Sequence, residues 1–320
     1  MMFLRSLSLL ALLFGLVACS GDPANQSEAP SDTATETEAE AEAAAELPTI
    51  TVAALSNPAA WLVERLGGDR VTVNQVLPAG EDPRFWRPPA EVIVELQNAD
   101  LIVMNGAGYE AWTGQANLPL SRLIESAADL DLIETVGRTH SHGDGGEHSH
   151  AGLDPHTWLD PDLYLEQARR VDEALRQQGV ETDGLAALES DLTALAGDLE
   201  TVLGPLENRA LAANHPSFAY FARRFGLAIE TIDLDPQGPG AEHVAALESW
   251  VAGVGEGEAI LFWIEEPAES VKTDLGEGVL HVVLDPLEQP AAGRYDYLEQ
   301  MRGNVLRLEQ LLRRLAPAVV

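Results

Sequence analysis

Half of the eight histidines of this chain lie in the run Thr139-His140-Ser141-His142-Gly143-Asp144-Gly145-Gly146-Glu147-His148-Ser149-His150. Neutral imidazole is the usual ligand for zinc, copper and nickel. Glycine and serine between the imidazoles argue against a packed element, so the run predicts a mobile loop in which His140, His142, His148 and His150 form a secondary, weaker metal site. A plain solvated polar loop would have the same composition, so the surrounding residues must decide between the two readings.

Two further histidines and an aspartate stand where an α/β protein places ligand groups. His156 follows Asp154-Pro155 and precedes the helix starter Asp160-Pro161; His215 follows a strand-like run ending at Asn214; Asp285 follows Val282-Val283-Leu284. If the strands run parallel, all three side chains can project toward one cleft and offer two neutral nitrogens and one oxygen, a sound ligand set for Zn2+. Singly, each has a structural reading: His156 as a loop or cap residue, His215 as a polar group at a helix start, Asp285 as a turn former before Pro286. Their recurrence at comparable element ends favours the ligand reading. His243, within a helical pattern, and His281, within a strand, read as structural.

The elements that must position these groups follow from hydrophobic periodicity. Residues 50–55, 71–77 and 101–105 are β-type runs, with helical spacing over 59–66 and 90–97. Two long helical patterns cover 161–178 and 182–203, the second with Leu185, Leu188, Leu192, Leu195, Leu199 and Leu203 at spacings of three and four. Strands over 210–214, 228–232, 259–263 and 280–284 then accompany helices over 217–225 and 241–251, and an amphipathic helix over 295–315 closes the chain. Strands alternating with helices imply parallel sheets, whose ligands lie outside the carboxyl ends of the strands. The predicted fold class is α/β: two α/β lobes with parallel sheets joined by a long rigid helix, with the metal site in the interlobe cleft. The expected boundaries are 47–181 for the N-terminal lobe, 182–206 for the linking helix and 207–320 for the C-terminal lobe.

The ends of the chain point to a place outside the cytoplasm. Arg5, an apolar stretch over 7–17 and Leu16-Val17-Ala18-Cys19 fit a secretory signal over residues 1–18, too short to span a bilayer. Cys19 is the only cysteine, so it cannot form an intramolecular disulfide. Its place after Leu-Val-Ala resembles the lipobox of bacterial lipoproteins, and acyl chains on its thiol would give a stable anchor. Residues 19–46 run through Ser, Thr, Pro, Ala and Glu without apolar mass to offset ordering entropy, and read as a lipidated, disordered linker. With 52 acidic against 19 basic residues and a net charge of −33, the chain is not a nucleic-acid binder, because phosphates demand the opposite sign. The acidic field raises the local concentration of divalent cations, although salt adaptation explains such a charge equally well.

Several motifs together resemble the metal-binding lipoproteins that serve ABC importers for zinc and manganese, in particular the zinc-type, ZnuA-like members. Asp82-Pro83-Arg84-Phe85-Trp86-Arg87-Pro88-Pro89 lies where that family has Asp-Pro-His-x-Tyr-Glu-Pro-x-Pro, and Ala99-Asp100-Leu101-Ile102-Val103-Met104-Asn105-Gly106 is similar to its Ala-Asp-Leu-x-x-x-Asn-Gly. Asp154-Pro155-His156, Asn214-His215-Pro216 and Leu284-Asp285-Pro286-Leu287 match its second, third and fourth ligand motifs, and a histidine loop before His156 is typical of zinc members. The resemblance implies a primary site of His156, His215 and Asp285. Histidine rather than glutamate at position 215 favours Zn2+ over Mn2+, since imidazole suits the softer ion.

Position 84 departs from the family. Arg84 stands where the resemblance implies a first histidine ligand, and a guanidinium stays protonated and cannot coordinate a metal. Three readings remain open: a three-ligand site completed by water, a site completed by a loop histidine such as His148 or His150, or a site that no longer takes bare metal. In the last case Arg84 pairs with Asp285 or grips an anionic chelate.

The leading functional reading is an extracytoplasmic Zn2+ receptor, lipid-anchored in the periplasm or at the cell surface, that works as a monomer with an ABC permease and its ATPase and performs no chemistry. A zinc hydrolase is the rival, since two histidines, an aspartate and water also make a hydrolytic site. Glu265 and Glu266 are its candidate bases, but no His-Glu-x-x-His helix is present. A zinc-buffering or adhesive lipoprotein without a permease is the third reading.

Overall fold

The computed structural model describes residues 49–315 except 136–138, 142–146, 150–151, 239, 255–258, 277 and 290–294. The signal-like segment, Cys19, the acidic linker, His142 and His150 lie outside the described residues. Among the described residues no helix is long and apolar enough to cross a membrane.

The first lobe is built from β1 (Ile50–Ala54), α1 (Asn57–Gly67), β2 (Val71–Gln75), α2 (Ala90–Asn98), β3 (Leu101–Met104) and β4 (Leu123–Glu125). Its strands form one sheet in the order β2-β1-β3-β4, and every neighbouring pair is parallel. All four residues of β3 are buried, the mark of a central strand covered on both faces. The fourth strand, Leu-Ile-Glu, is too short to show a period and is absent from the sequence-based expectation.

Four short strands follow: β5 (Glu134–Thr135), β6 (Thr139–Ser141), β7 (Glu147–Ser149) and β8 (Gly152–Leu153). β5 pairs antiparallel with β8, and β6 with β7, so that His140 stands opposite His148 in the register. The histidine segment is therefore not the wholly unpaired loop that its composition suggests.

Two long helices come next, α3 (Pro161–Gln177) and α4 (Gly184–Leu203). Asp160 caps α3, its carboxylate accepting from Asp162 N at 2.9 Å and Leu163 N at 3.4 Å, and Pro161 occupies the first turn, where its missing N–H costs nothing. Gly184 opens α4 against the end of α1: a Cβ there would lie 2.7 Å from the carbonyl oxygens of Arg65 and Leu66, so the approach requires glycine.

The second lobe comprises β9 (Leu211–Ala213), α5 (Ala219–Phe225), β10 (Ile229–Thr231), α6 (Ala241–Val254), β11 (Ala259–Trp263), α7 (Glu269–Asp274), β12 (Val279–Val283) and α8 (Tyr297–Leu315). Its sheet runs β10-β9-β11-β12, again all parallel. The fold class is thus the expected one, with a parallel sheet in each lobe. α7, a single short turn of helix, has no counterpart in the sequence reading.

One apolar core crosses from lobe to lobe. It joins Val52 and Val103 of the first sheet to Leu211, Ile260 and Phe262 of the second through α1, α3, α4 and α8. In α4, Leu188, Leu192, Leu195, Leu199 and Leu203 are all buried in it. Burying such a side chain stabilises the fold by about 1.5–3 kcal/mol, so α4 holds the lobes together by packing along its length. Smaller clusters cover the outer face of each sheet, around Trp86, Ile102 and Trp112 in one and Leu247, Leu261 and Trp263 in the other.

Candidate metal centre

The order β10-β9-β11-β12 reverses between β9 and β11, and such a switch point leaves a crevice at the carboxyl ends of the strands. Asn214 and His215 follow β9 at that point. Asn214 is fixed there by donating to Leu234 O at 3.0 Å and accepting from Ile264 N at 2.9 Å. The backbone thereby delivers His215, 3 % exposed, into the interior, where its Nδ1 lies 2.5 Å from Ser217 Oγ.

His156 reaches the same place from the chain leading into α3. It is 1 % exposed. Asp154 Oδ1 accepts the His156 backbone N–H at 2.9 Å and meets Nδ1 at 2.6 Å, which orients the ring and turns Nε2 toward the seam between the lobes. Pro155, just before it, is held by Asn105 Nδ2 donating to Pro155 O at 2.9 Å. The rings of His156 and His215 are 6.4 Å apart and nearly perpendicular, at 86°. Two imidazoles sharing one tetrahedral ion have ring centres roughly 5 Å apart, by the usual Zn–N length of about 2.0–2.1 Å, so about 1 Å of closure would bring them onto one metal.

Asp285, the expected third ligand, is committed to the scaffold. Its Oδ1 accepts Leu287 N at 2.8 Å and its Oδ2 accepts Gln300 Nε2 at 2.9 Å. Asn304 of α8 grips its backbone on both sides, donating to Asp285 O and accepting from Asp285 N. The carboxylate that faces His156 belongs to Glu288, whose Oε1 lies 2.6 Å from Nε2. Leu287 bends the chain with φ of +61°, a conformation uncommon in a non-glycine residue. Trp158 Nε1 donates to Pro286 O at 2.8 Å and Asn57 Nδ2 to Glu288 O at 2.7 Å, tying this turn to the first lobe. Glu288 is the site residue that sequence reasoning missed. The available signal was chemical: an arginine at a ligand position calls for a carboxylate nearby.

Asp82 and Glu288 are carboxylates that Arg84 meets. Arg84 Nε lies 3.1 Å and 3.2 Å from the two Asp82 carboxylate oxygens, and its Nη2 lies 3.1 Å from Asp82 Oδ2 and 3.5 Å from Glu288 Oε1. The guanidinium also sits 5.9 Å from the centre of the Tyr109 ring.

The electrostatics follow from this chain of contacts. Burial works against the charged Arg84, but Glu288 and Asp82 outweigh it and keep the guanidinium firmly protonated. Burial alone would raise the Glu288 carboxyl; Arg84 and His156 instead hold it well below the ordinary carboxylate range. Burial likewise favours neutral His156, yet Asp154 and Glu288 push it up to about 9. Asp154, His156, Glu288, Arg84 and Asp82 therefore form one connected network of three carboxylates and two cations, formally one negative charge in excess. Among the described residues no three His, Cys, Asp or Glu side chains are already arranged to hold a metal together. A cavity of about 340 Å3 is lined in part by Arg84, Asp154, His156 and Pro216. Of the histidine segment, His140 and His148 are placed only by their backbone register, and His243 lies on α6 and His281 on β12, away from the pair. His281 Nδ1 accepts from Trp263 Nε1 at 3.0 Å.

The family described as "Zinc-uptake complex component A periplasmic" matches residues 52–311. The zinc-binding lipoprotein AdcA of Streptococcus pneumoniae is 24 % identical over 282 residues, which cover 82 % of this chain and 56 % of that protein, so the chain spans little more than half the length of this relative. Among solved structures, the metal-dependent lipoprotein YcdH of Bacillus subtilis superposes with a TM-score of 0.68 at 20 % identity, over 82 % of this chain and 99 % of that one. The Zn(II)-bound ZnuA-like domain of Streptococcus pneumoniae AdcA gives 0.65 at 21 % identity, over 82 % and 98 %. At such identities the likeness of the structures speaks to the fold.

Proposed function

The chain belongs to the family of zinc-uptake complex component A, and from that membership we propose that it is an extracytoplasmic receptor that binds Zn2+ between its two lobes and hands it to an ABC permease. The observation that carries the reading is the pair His156 and His215, both buried, set ring to ring across the seam by two unrelated chain segments. A core that needed only bulk there would not bury two imidazoles, since polar groups are costly inside unless they are bonded. Two nitrogen ligands favour Zn2+ over Mn2+. The protein is a binding component and not an enzyme, in keeping with the metal-binding lipoproteins it resembles. Cys19, by its position in the sequence, would carry the lipid anchor to the membrane, and His140, His142, His148 and His150 would capture zinc more weakly ahead of the buried site. The lobe boundaries expected at 47–181, 182–206 and 207–320 belong to the same proposal.

Elemental analysis of the purified protein, together with zinc uptake in a strain lacking it, tests this reading. Stoichiometric zinc and an uptake defect at low external zinc are expected. A protein that takes up no zinc, or a deletion strain with unchanged uptake, would contradict it.

A further inference from the structure

We infer that Gln289 is the positioning residue of a gate: its carboxamide latches the loop that carries Arg84 beside the buried histidines, and that loop lifts to let the ion in and out. This role rests on the receptor reading above and adds to it the place where the site opens.

The need for a moving part comes from burial. His156 is 1 % exposed and His215 3 %, so a hydrated ion reaches neither ring unless some segment gives way. The lobes share one continuous apolar core through α1, α3, α4 and α8, and parting them would expose the buried leucines of α4. A loop is easier to move, because few buried apolar contacts hold it. Residues 76–89, between β2 and α2, are such a loop, and Arg84 and Phe85 within it line the same cavity as His156. Trp86 anchors the far end in the first lobe, packed edge-on to Trp112 at 5.7 Å, while Phe85 beside it is 51 % exposed.

The near end is held by a side chain of the other lobe. Glu81 N donates to Pro78 O at 3.2 Å and Gly80 has φ of +84°, a tight turn whose third position suits glycine. That turn offers an N–H and a carbonyl together: Gly80 N donates to Gln289 Oε1 at 3.3 Å, and Gln289 Nε2 donates to Glu81 O at 2.9 Å. A carboxamide fits because one planar group carries both a donor and an acceptor. The backbone of Gln289 is itself fixed, by Gln300 Nε2 donating to Gln289 O at 3.0 Å and by Asn57 Nδ2 donating to the preceding carbonyl, that of Glu288, at 2.7 Å. Consecutive residues of one turn thus grip the loop twice, Gln289 at Gly80 and Glu81, and Glu288 at Arg84. Both Gln289 bonds are exposed, so water can replace them at small net cost and the latch can open.

The latch is made of a carboxamide and two backbone groups, none of which belongs to either histidine. It therefore favours the closed loop equally in the loaded and the unloaded protein. Weakening it raises the open fraction in both, which speeds capture and release together and leaves their ratio unchanged. Damage to the site itself would act differently, speeding release alone.

The test measures zinc capture and release in the full chain by stopped flow, following transfer from and to a chromophoric chelator. Gln289→Met keeps the size of the side chain and removes both bonds; it should speed capture and release alike, each by about tenfold, the bias that two ordinary hydrogen bonds supply. The affinity should stay within about twofold, since a gate acts on rates. Gln289→Glu keeps an acceptor for Gly80 N and loses the donor to Glu81 O, and should fall between. Gln97→Met removes a bond to Asn117 O within the first lobe and should leave both rates alone. Hydrogen exchange in the metal-free proteins gives a readout independent of zinc: the Arg84 and Phe85 amides, bonded to Asp82 and not to Gln289, should exchange faster in Gln289→Met. Should Gln289→Met misfold, Gln289→Glu carries both comparisons. Unchanged rates, or release that rises without capture, overturns the gate and leaves the receptor reading intact. A wild-type protein that takes up no zinc sinks the receptor reading, and the gate with it.

Discussion

Nε2 of His156 lies 2.6 Å from Oε1 of Glu288, a contact between residues 132 positions apart. It closes a line of alternating charge from Asp154 through His156 and Glu288 to Arg84 and Asp82. Such a line offsets most of the buried charge, and it sets the terms on which a cation can enter: the cation must compete with a proton on the imidazole and with a guanidinium on the carboxylate.

Arg84→Ala should therefore tighten zinc binding. Removing the guanidinium takes away a fixed like charge beside the ion and leaves Asp82 and Glu288 with one cation fewer, which favours an incoming cation. A gain of about tenfold or more, equivalent to about 1.4 kcal/mol, is expected by calorimetry. Arg84→His should gain further by adding a nitrogen ligand. If instead Arg84 holds an anionic chelate, the wild-type protein will prefer chelated over free zinc and Arg84→His will lose that preference. Equal affinities for both zinc forms in both proteins would show that the side chain plays no part in the site.

Asp154→Ala should weaken zinc binding without touching a ligand. Asp154 fixes the His156 ring through Nδ1 at 2.6 Å, and loss of such an orienting carboxylate commonly costs about 10–100-fold in metal affinity. Unchanged affinity in a folded variant would mean that packing against Trp158, 5.3 Å away ring to ring, orients the imidazole by itself.

Stability should carry a pH signature at Glu110. This carboxylate is 2 % exposed and accepts from Asn105 N at 2.9 Å and Gly106 N at 3.0 Å; burial outweighs both bonds and pushes it up from 4.5 to about 7. A folded-state value above the unfolded one means the folded protein holds its proton more tightly. The associated stability is complete below about pH 4.5 and is lost as pH rises through about 7. The loss amounts to about 3 kcal/mol at 1.36 kcal/mol per unit. Glu110→Gln should lack it, so the stability difference between the two proteins, measured by denaturant unfolding, should shift by about that amount between pH 4 and about 8. A constant difference would show that Glu110 titrates normally.

Leu199→Ala tests the helix that joins the lobes. Leu199 is 0 % exposed in the core shared by both sheets, and truncation of such a leucine costs about 2–5 kcal/mol. A cost below about 1 kcal/mol would mean that α4 is held mainly by its ends.

What the sequence discloses and what it hides divide along physical lines. The leucines of α4 repeat at three and four because one face of that helix is buried throughout, and the strand-and-helix alternation is strong because both sheets are parallel and covered. His156 and His215 stand out because each follows a break between elements. β4, three residues long, has no period to detect. Glu288 is hidden because its orientation depends on the positive φ of Leu287 and on bonds from Trp158 and Asn57, residues distant in sequence. Arg84 is recognisable as an anomaly, yet its contact with Glu288 is not, since the two residues come from segments far apart in sequence.

The central claim is that the two buried histidines hold the metal, and a zinc titration of the wild-type protein against His156→Ala and His215→Ala tests it most directly. One tight site in the wild type is predicted, with each single variant weakened by about a hundredfold or more, beyond the loss expected from an outer-shell change, and any weak binding by the histidine segment left in place. Tight binding that survives in both variants would place the metal elsewhere and contradict the account.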